Sequence, residues 1–225
     1  MSGKNASVYR RSRSTQLLVA EAGINLLRAV AIAMLYAQHL FSYFATRDAD
    51  LSAEYHDGVN LIVLLSSVMI LIVHLMLRRN RWPIWLTYAT IIGDGLLIAA
   101  LIKLAGGPHK IQVILLPLVI MVSALRLQRR TVWLSTAVAI AAYLITLADY
   151  ALVKVGGEVY YAPGNEALRI PRHDQFFVVA ALLICGIIAH RLVLNFSEVQ
   201  RDGQISMGTK VVDENAVAAE NGENE

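Results

Sequence analysis

Charge and cysteine are what this chain has least of. Only 16% of its 225 residues are charged, where a soluble domain carries about 25%. The single cysteine, Cys185, lies inside an apolar run. A disulfide framework and a cysteine-based metal site are both excluded. Catalytic signatures are missing too: there is no phosphate-binding glycine–lysine loop, no HExxH and no Gly-x-Ser-x-Gly. The Gly93-Asp94-Gly95 triplet is too short to stand in for one, so no enzyme activity is expected. Basic and acidic residues nearly balance, at 20 and 17. The basic ones sit in short clusters between apolar runs, a pattern that orients membrane helices and does not bind nucleic acid.

What the chain does have is apolar length. Hydrophobic residues make up 56% of it, and the mean hydropathy is +0.53. Six apolar segments stand out, at 17–44, 58–77, 82–104, 111–127, 131–153 and 175–196. At about 1.5 Å of rise per residue, each is long enough to cross a hydrocarbon core about 30 Å thick, the fourth only just. With every backbone group satisfied inside its own helix, the expected fold is an all-α integral membrane protein, a six-transmembrane-helix bundle.

Lysine and arginine counts orient it. The amino-terminal segment, the 78–81 turn, the 126–130 turn and the stretch after the last helix carry twelve; the other loops carry six. Both termini are therefore expected in the cytoplasm, with the protein multi-pass in the inner (plasma) membrane. The basic head is read as a signal anchor and not a cleaved signal peptide, because Arg28 interrupts the first apolar run early. The organisation is a basic segment at 1–16, a membrane domain at 17–196 and a tail at 197–225. From Gly203 onward the tail has Lys210 against Asp213, Glu214, Glu220, Glu223 and Glu225 and no aromatic residue. Such a composition predicts disorder, with no catalytic domain following.

Residues 86–118 hold the most informative polar group. Asp94 sits at the centre of the third apolar segment, ahead of a Gly106-Gly107-Pro108 turn. An ionisable group at mid-membrane is costly and marks a candidate site. Asp94 either pairs with Arg28, the one basic residue well inside a span, or stays neutral and donates a hydrogen bond. Arg28 belongs to a stripe on the first helix with Glu21, Asn25, Tyr36, His39 and Tyr43. The stripe is either a packing face glued by hydrogen bonds or the lining of a ligand or proton path. His74 and His190 fall at similar depth on two helices. A haem held between them lacks a second pair at the other face, so no cofactor and no metal is expected. In the fifth helix, Ser135, Ala139 and Tyr143 form one small-residue face and Ala137 and Ala141 another; packing within the monomer is the favoured use. The longest loop, 154–174, sets β-prone runs around Pro163-Gly164-Asn165, predicting a small hairpin or a cap over the outer face. Tyr160, Tyr161, Arg169, Arg172 and His173 are its candidate ligand contacts; an ordered connector is the alternative.

The INLLRAVAIAMLY opening helix, the RRNR turn, the aspartate in the third helix, the LAGGPHK turn and the LLPLVIMVSALRLQRR helix together resemble one family. It is the six-helix amino-terminal membrane sensor module of PilS-type bacterial sensor histidine kinases. The resemblance covers about residues 20–196 and implies sensing or scaffolding, a homodimer, and a signalling partner in or at the bilayer. In such kinases the exit helix feeds a coiled coil, a phosphoacceptor histidine and an ATP-binding domain. Here HRLVLNFSEVQRDG starts in that way and gives over to the acidic tail, so no phosphoacceptor residue carries over. The competing expectation is a small transporter or the substrate-binding subunit of one.

Overall fold

The computed structural model describes residues 3–45, 53–79, 82–108, 111–162, 164–165 and 168–222, with side-chain surroundings described within 18–198 except at 42, 45, 53 and 54. Among these residues there is no strand. The helices are α1 (Gly3–Ala45), α2 (Ala53–Arg78), α3 (Ile84–Leu104), α4 (Leu115–Ala124), α5 (Arg129–Asp149), the one-turn α6 (Gly157–Tyr161) and α7 (Arg172–Gly222). A tight 3-10 turn, Ile111–Ile114, leads into α4, and a wide π turn, Tyr150–Lys154, closes α5.

Five helical stretches are long and apolar enough to cross a membrane: Leu18–Phe41, Tyr55–Arg78, Ile84–Leu104, Arg129–Lys154 and Arg172–Glu198. The chain is a multi-pass, all-helical membrane protein. The remaining apolar run is shorter than its sequence suggested. With its 3-10 lead-in it covers only Ile111–Ala124, about 23 Å of rise against a core of roughly 30 Å. Its Pro117 falls in the first turn of α4, where the missing N–H leaves no bond unmade. The helix stops because Leu127 takes a left-handed φ of 52°, which turns the chain sharply into α5.

α5 is the centre of the bundle and packs against α3, α4 and α7. Its Val132, Ala139 and Tyr143 join Ile102 of α3, Leu116 and Ile120 of α4, and Leu182 and Val193 of α7 in one core. Two glycines permit the close approach. A Cβ on Gly95 would stand 2.2 Å from the Val138 side chain, and one on Gly186 would stand 2.5 Å from Thr136. Ser135, Ala139 and Tyr143 are buried, while Ala137 and Ala141 face outward. The small-residue face of α5 thus serves packing inside this chain.

α1 lies antiparallel along α2. Asn25 donates to the Ile70 carbonyl at 3.2 Å, and His39 meets His56 at 2.8 Å, so fourteen residues forward on α1 match fourteen back on α2. At the far end of α3, Gly106 and Gly107 both have positive φ, at 112° and 123°. Gly107 also lies beneath the Tyr150 ring, where a Cβ would come within 2.6 Å of it. No other residue fits that turn without strain.

One expectation is corrected. The 154–174 loop does not form a hairpin: Gly157–Tyr161 is helical. The reason is Arg169, whose guanidinium takes the carbonyls of Tyr160, Tyr161 and Ala162 at 2.7–2.8 Å. Those acceptors cap α6 and are no longer free for a strand ladder. The α7 backbone runs as helix to Gly222. Ala216, Ala218, Ala219 and Glu220 are good helix formers, and extending an existing helix avoids the cost of nucleation. The loop positions 46–52, 80–81, 109–110, 163 and 166–167 lie outside the described residues, among them Arg47, Asn80, Arg81, His109, Lys110 and Pro163.

The close contact at Gly95 generates a test. Gly95→Val should overpack the α3–α5 seam and cost about 1–3 kcal/mol. Gly23, with nothing within 4 Å of a built Cβ, is the control: Gly23→Ala should leave the melting temperature in detergent unchanged or slightly higher. Equal melting temperatures for both variants would place α3 and α5 further apart than they stand here.

Candidate functional site

Four ionisable groups from three elements meet inside the bundle as two ion pairs. Arg28 of α1 grips Asp94 of α3, its Nε 2.9 and 3.0 Å from the two carboxylate oxygens and its Nη2 also on Oδ2. Glu21, two turns earlier on α1, is gripped by Arg126 from the α4–α5 turn, at 2.7 Å from Nε and 3.1 Å from Nη2. The first pair is mostly buried, at 10% and 18% exposure. The second is sealed, at 2% and 1%. Both contacts use two guanidinium nitrogens, the planar fork that only arginine offers.

The pairs share a register. Glu21 also accepts from Thr87 of α3, and Thr87 lies as far along the chain from Glu21 as Asp94 does from Arg28, 66 residues in each case. Seven residues on α1 therefore match seven on α3, and seven residues return to nearly the same helix face after two turns. α1 and α3 run parallel with these contacts about 10 Å apart along the axis. Hydroxyls complete the deeper pair: Arg126 also donates to Thr90 at 3.2 Å, and Trp82 Nε1 donates to Thr87 at 2.8 Å.

A cavity of about 160 Å³ lies between the α1–α2 pair and α3, α4 and α5. Leu27, Ile32, Met69, Leu97 and Val119 are among its apolar walls, and Arg28, Asp94, Arg126, Ser66 and Ser135 bring the polar ones. Three buried polar atoms near it have no partner among the described residues: Arg28 Nη1, Ser66 Oγ and Asn25 Oδ1.

The other expected residues divide. His39 is buried at the end of α1 and shares a hydrogen bond with His56, with Tyr36 stacked on His39 and Tyr43 on His56. Tyr160, Tyr161, Arg169 and Arg172 do come together, around a separate cavity of about 340 Å³. The Arg169 guanidinium, however, is spent on backbone carbonyls, and the Tyr160 hydroxyl accepts from the Ile170 N–H. These two side chains hold the loop. His173 points away and pairs with exposed Asp174 at 3.2 Å. Among the described residues no group of three or more His, Cys, Asp or Glu side chains could hold a metal. His190 sits by the Trp133 ring, 5.6 Å between centroids.

Arg126, Thr87, Thr90 and Ser66 went unmarked in the sequence. Arg126 reads as one of a basic turn, Arg126/Arg129/Arg130, yet it is 3% exposed while its two neighbours are exposed. The legible signal was spacing: Glu21 to Arg28 and Thr87 to Asp94 are the same step. No family model, curated protein or solved structure matches the chain.

The Arg28–Asp94 contact predicts a pattern of rescue. Leaving one charge of a buried pair unmet costs about 3–5 kcal/mol, whereas removing both costs much less. Asp94→Asn and Arg28→Gln should each lower the melting temperature in detergent, and the double variant should recover most of the loss. A silent Asp94→Asn would mean that the pair contributes nothing.

Proposed function

We propose that this chain is a six-span protein of the inner membrane with both termini in the cytoplasm, working as a sensor or scaffold module that signals through a partner protein. The short α4 supports the sixth crossing. Its lead-in starts just beyond the α3 end, and Arg126 beyond its far end reaches Thr90, in the first half of α3, and Glu21, near the start of the apolar stretch Leu18–Phe41 of α1. The chain thus returns to the level from which α3 set out. Opposite contacts fit the same frame: Lys103 at the end of α3 meets Asp149 at the end of α5 at 2.7 Å. Taking buried Arg126 out of the loop count leaves eleven basic residues against six, and the orientation argument stands.

One observation carries the signalling reading. α7 crosses the membrane over Arg172–Glu198 and continues as the same helix to Gly222. A rotation or shift of α7 in the bundle, where Leu182, Ala189 and Val193 are packed, is thereby delivered past the bilayer to whatever docks on the extension. This is how the resemblance to PilS-type sensor modules would be used, with the homodimer or the signalling partner meeting the exit helix. The transport reading draws on the cavity beside short α4, since transporter sites lie near mid-membrane next to interrupted helices.

Reporters fused after Gly164 should report the outside, and those after Gly208 the inside; a cytoplasmic signal from Gly164 would break the six-span topology. Affinity purification of the full chain from its native membranes should recover a kinase or cyclase. Recovery of a paired ATPase would favour transport.

A further inference from the structure

We propose that the cavity between α1 and α3 is a binding site for a neutral, ring-sized lipophile bearing a carbonyl oxygen, the chemistry of a quinone head group. This holds whether or not α7 has a signalling partner.

Size comes first. An apolar cavity of about 150 Å³ accepts a benzene ring, and this one is about 160 Å³. Its walls are mostly aliphatic, so a cluster of waters filling it would lack the two to four polar partners that each needs. A ring fits where waters do not.

The polar groups then select the ring. Arg28 spends Nε and Nη2 on Asp94, and its Nη1 is buried without a partner among the described residues. Ser66, 1% exposed, is likewise unmet at Oγ. Both line the cavity. Buried donors left unmet are costly and rare in native proteins, and an absent acceptor explains both. A carbonyl oxygen, with two lone pairs and no proton, suits a guanidinium N–H and a hydroxyl together.

Net charge excludes an anion. Arg28 with Asp94 and Arg126 with Glu21 already cancel within the site. A carboxylate or phosphate ligand would bring an uncompensated charge to this depth. A neutral acceptor brings none, and it can enter from the bilayer, in which such molecules dissolve.

The test uses the full chain in lipid nanodiscs with two probes of one shape, duroquinone and durene, the second lacking both carbonyls. Duroquinone should bind saturably, raise the melting temperature with concentration, and bind at least tenfold more tightly than durene. Ser66→Ala should reduce that preference severalfold. The Arg28→Gln/Asp94→Asn double variant, in which the ion pair is replaced by neutral groups, should abolish the preference while still unfolding cooperatively. Equal binding of the two probes, no saturable binding to the folded wild type, or a preference that survives in the double variant would each overturn the proposal.

Discussion

A carboxylate within a hydrocarbon layer persists where a guanidinium meets it, and this bundle contains two such meetings on one helix. Lipid tails are as apolar as leucine, so burying aliphatic surface between helices gives little drive to associate in a membrane. The outer flank of α1 shows this: Leu26, Val30 and Met34 are exposed. What fixes its place against α3 is polar. Glu21 and Arg28 meet Thr87, Arg126 and Asp94 at matched two-turn steps. A slip of one turn in either direction would strand four charges, which makes the register close to all-or-none. The long arginine side chains also span space that direct helix contact would have closed, and the cavity between α1 and α3 follows from that.

The bundle is consequently uneven. α3, α4, α5 and α7 are drawn together by glycine contacts and a continuous apolar core. α1 and α2 form an antiparallel pair: α2 packs directly on α3, where a Cβ on Gly58 would stand 2.7 Å from Leu104, while α1 meets α3 across the cavity and through its ion pairs. α7, whose helix runs on beyond its apolar stretch, belongs to the group seamed by glycine contacts.

Much of this was legible in the sequence, for a physical reason. Length and apolarity are summed over some twenty residues, so five spans and their approximate ends could be read directly, and Asp94 stood out because a charge in such a run has to be explained. Errors arose where a single contact overrides composition. Arg169 caps α6 and cancels a hairpin that its β-prone neighbours favoured. Leu127 turns left-handed and cuts α4 short. Arg126 resembles its exposed neighbours Arg129 and Arg130 in type, and only the fold directs it inward to Glu21.

The central claim is that buried charge, more than apolar burial, seats α1. The deepest pair tests it most directly, through a double-mutant cycle on Glu21→Gln and Arg126→Gln with unfolding followed in detergent. The account predicts that each single substitution is strongly destabilising and that the double variant recovers most of the loss, a coupling of about 3 kcal/mol or more. Additive losses, with no coupling between the two positions, would contradict it.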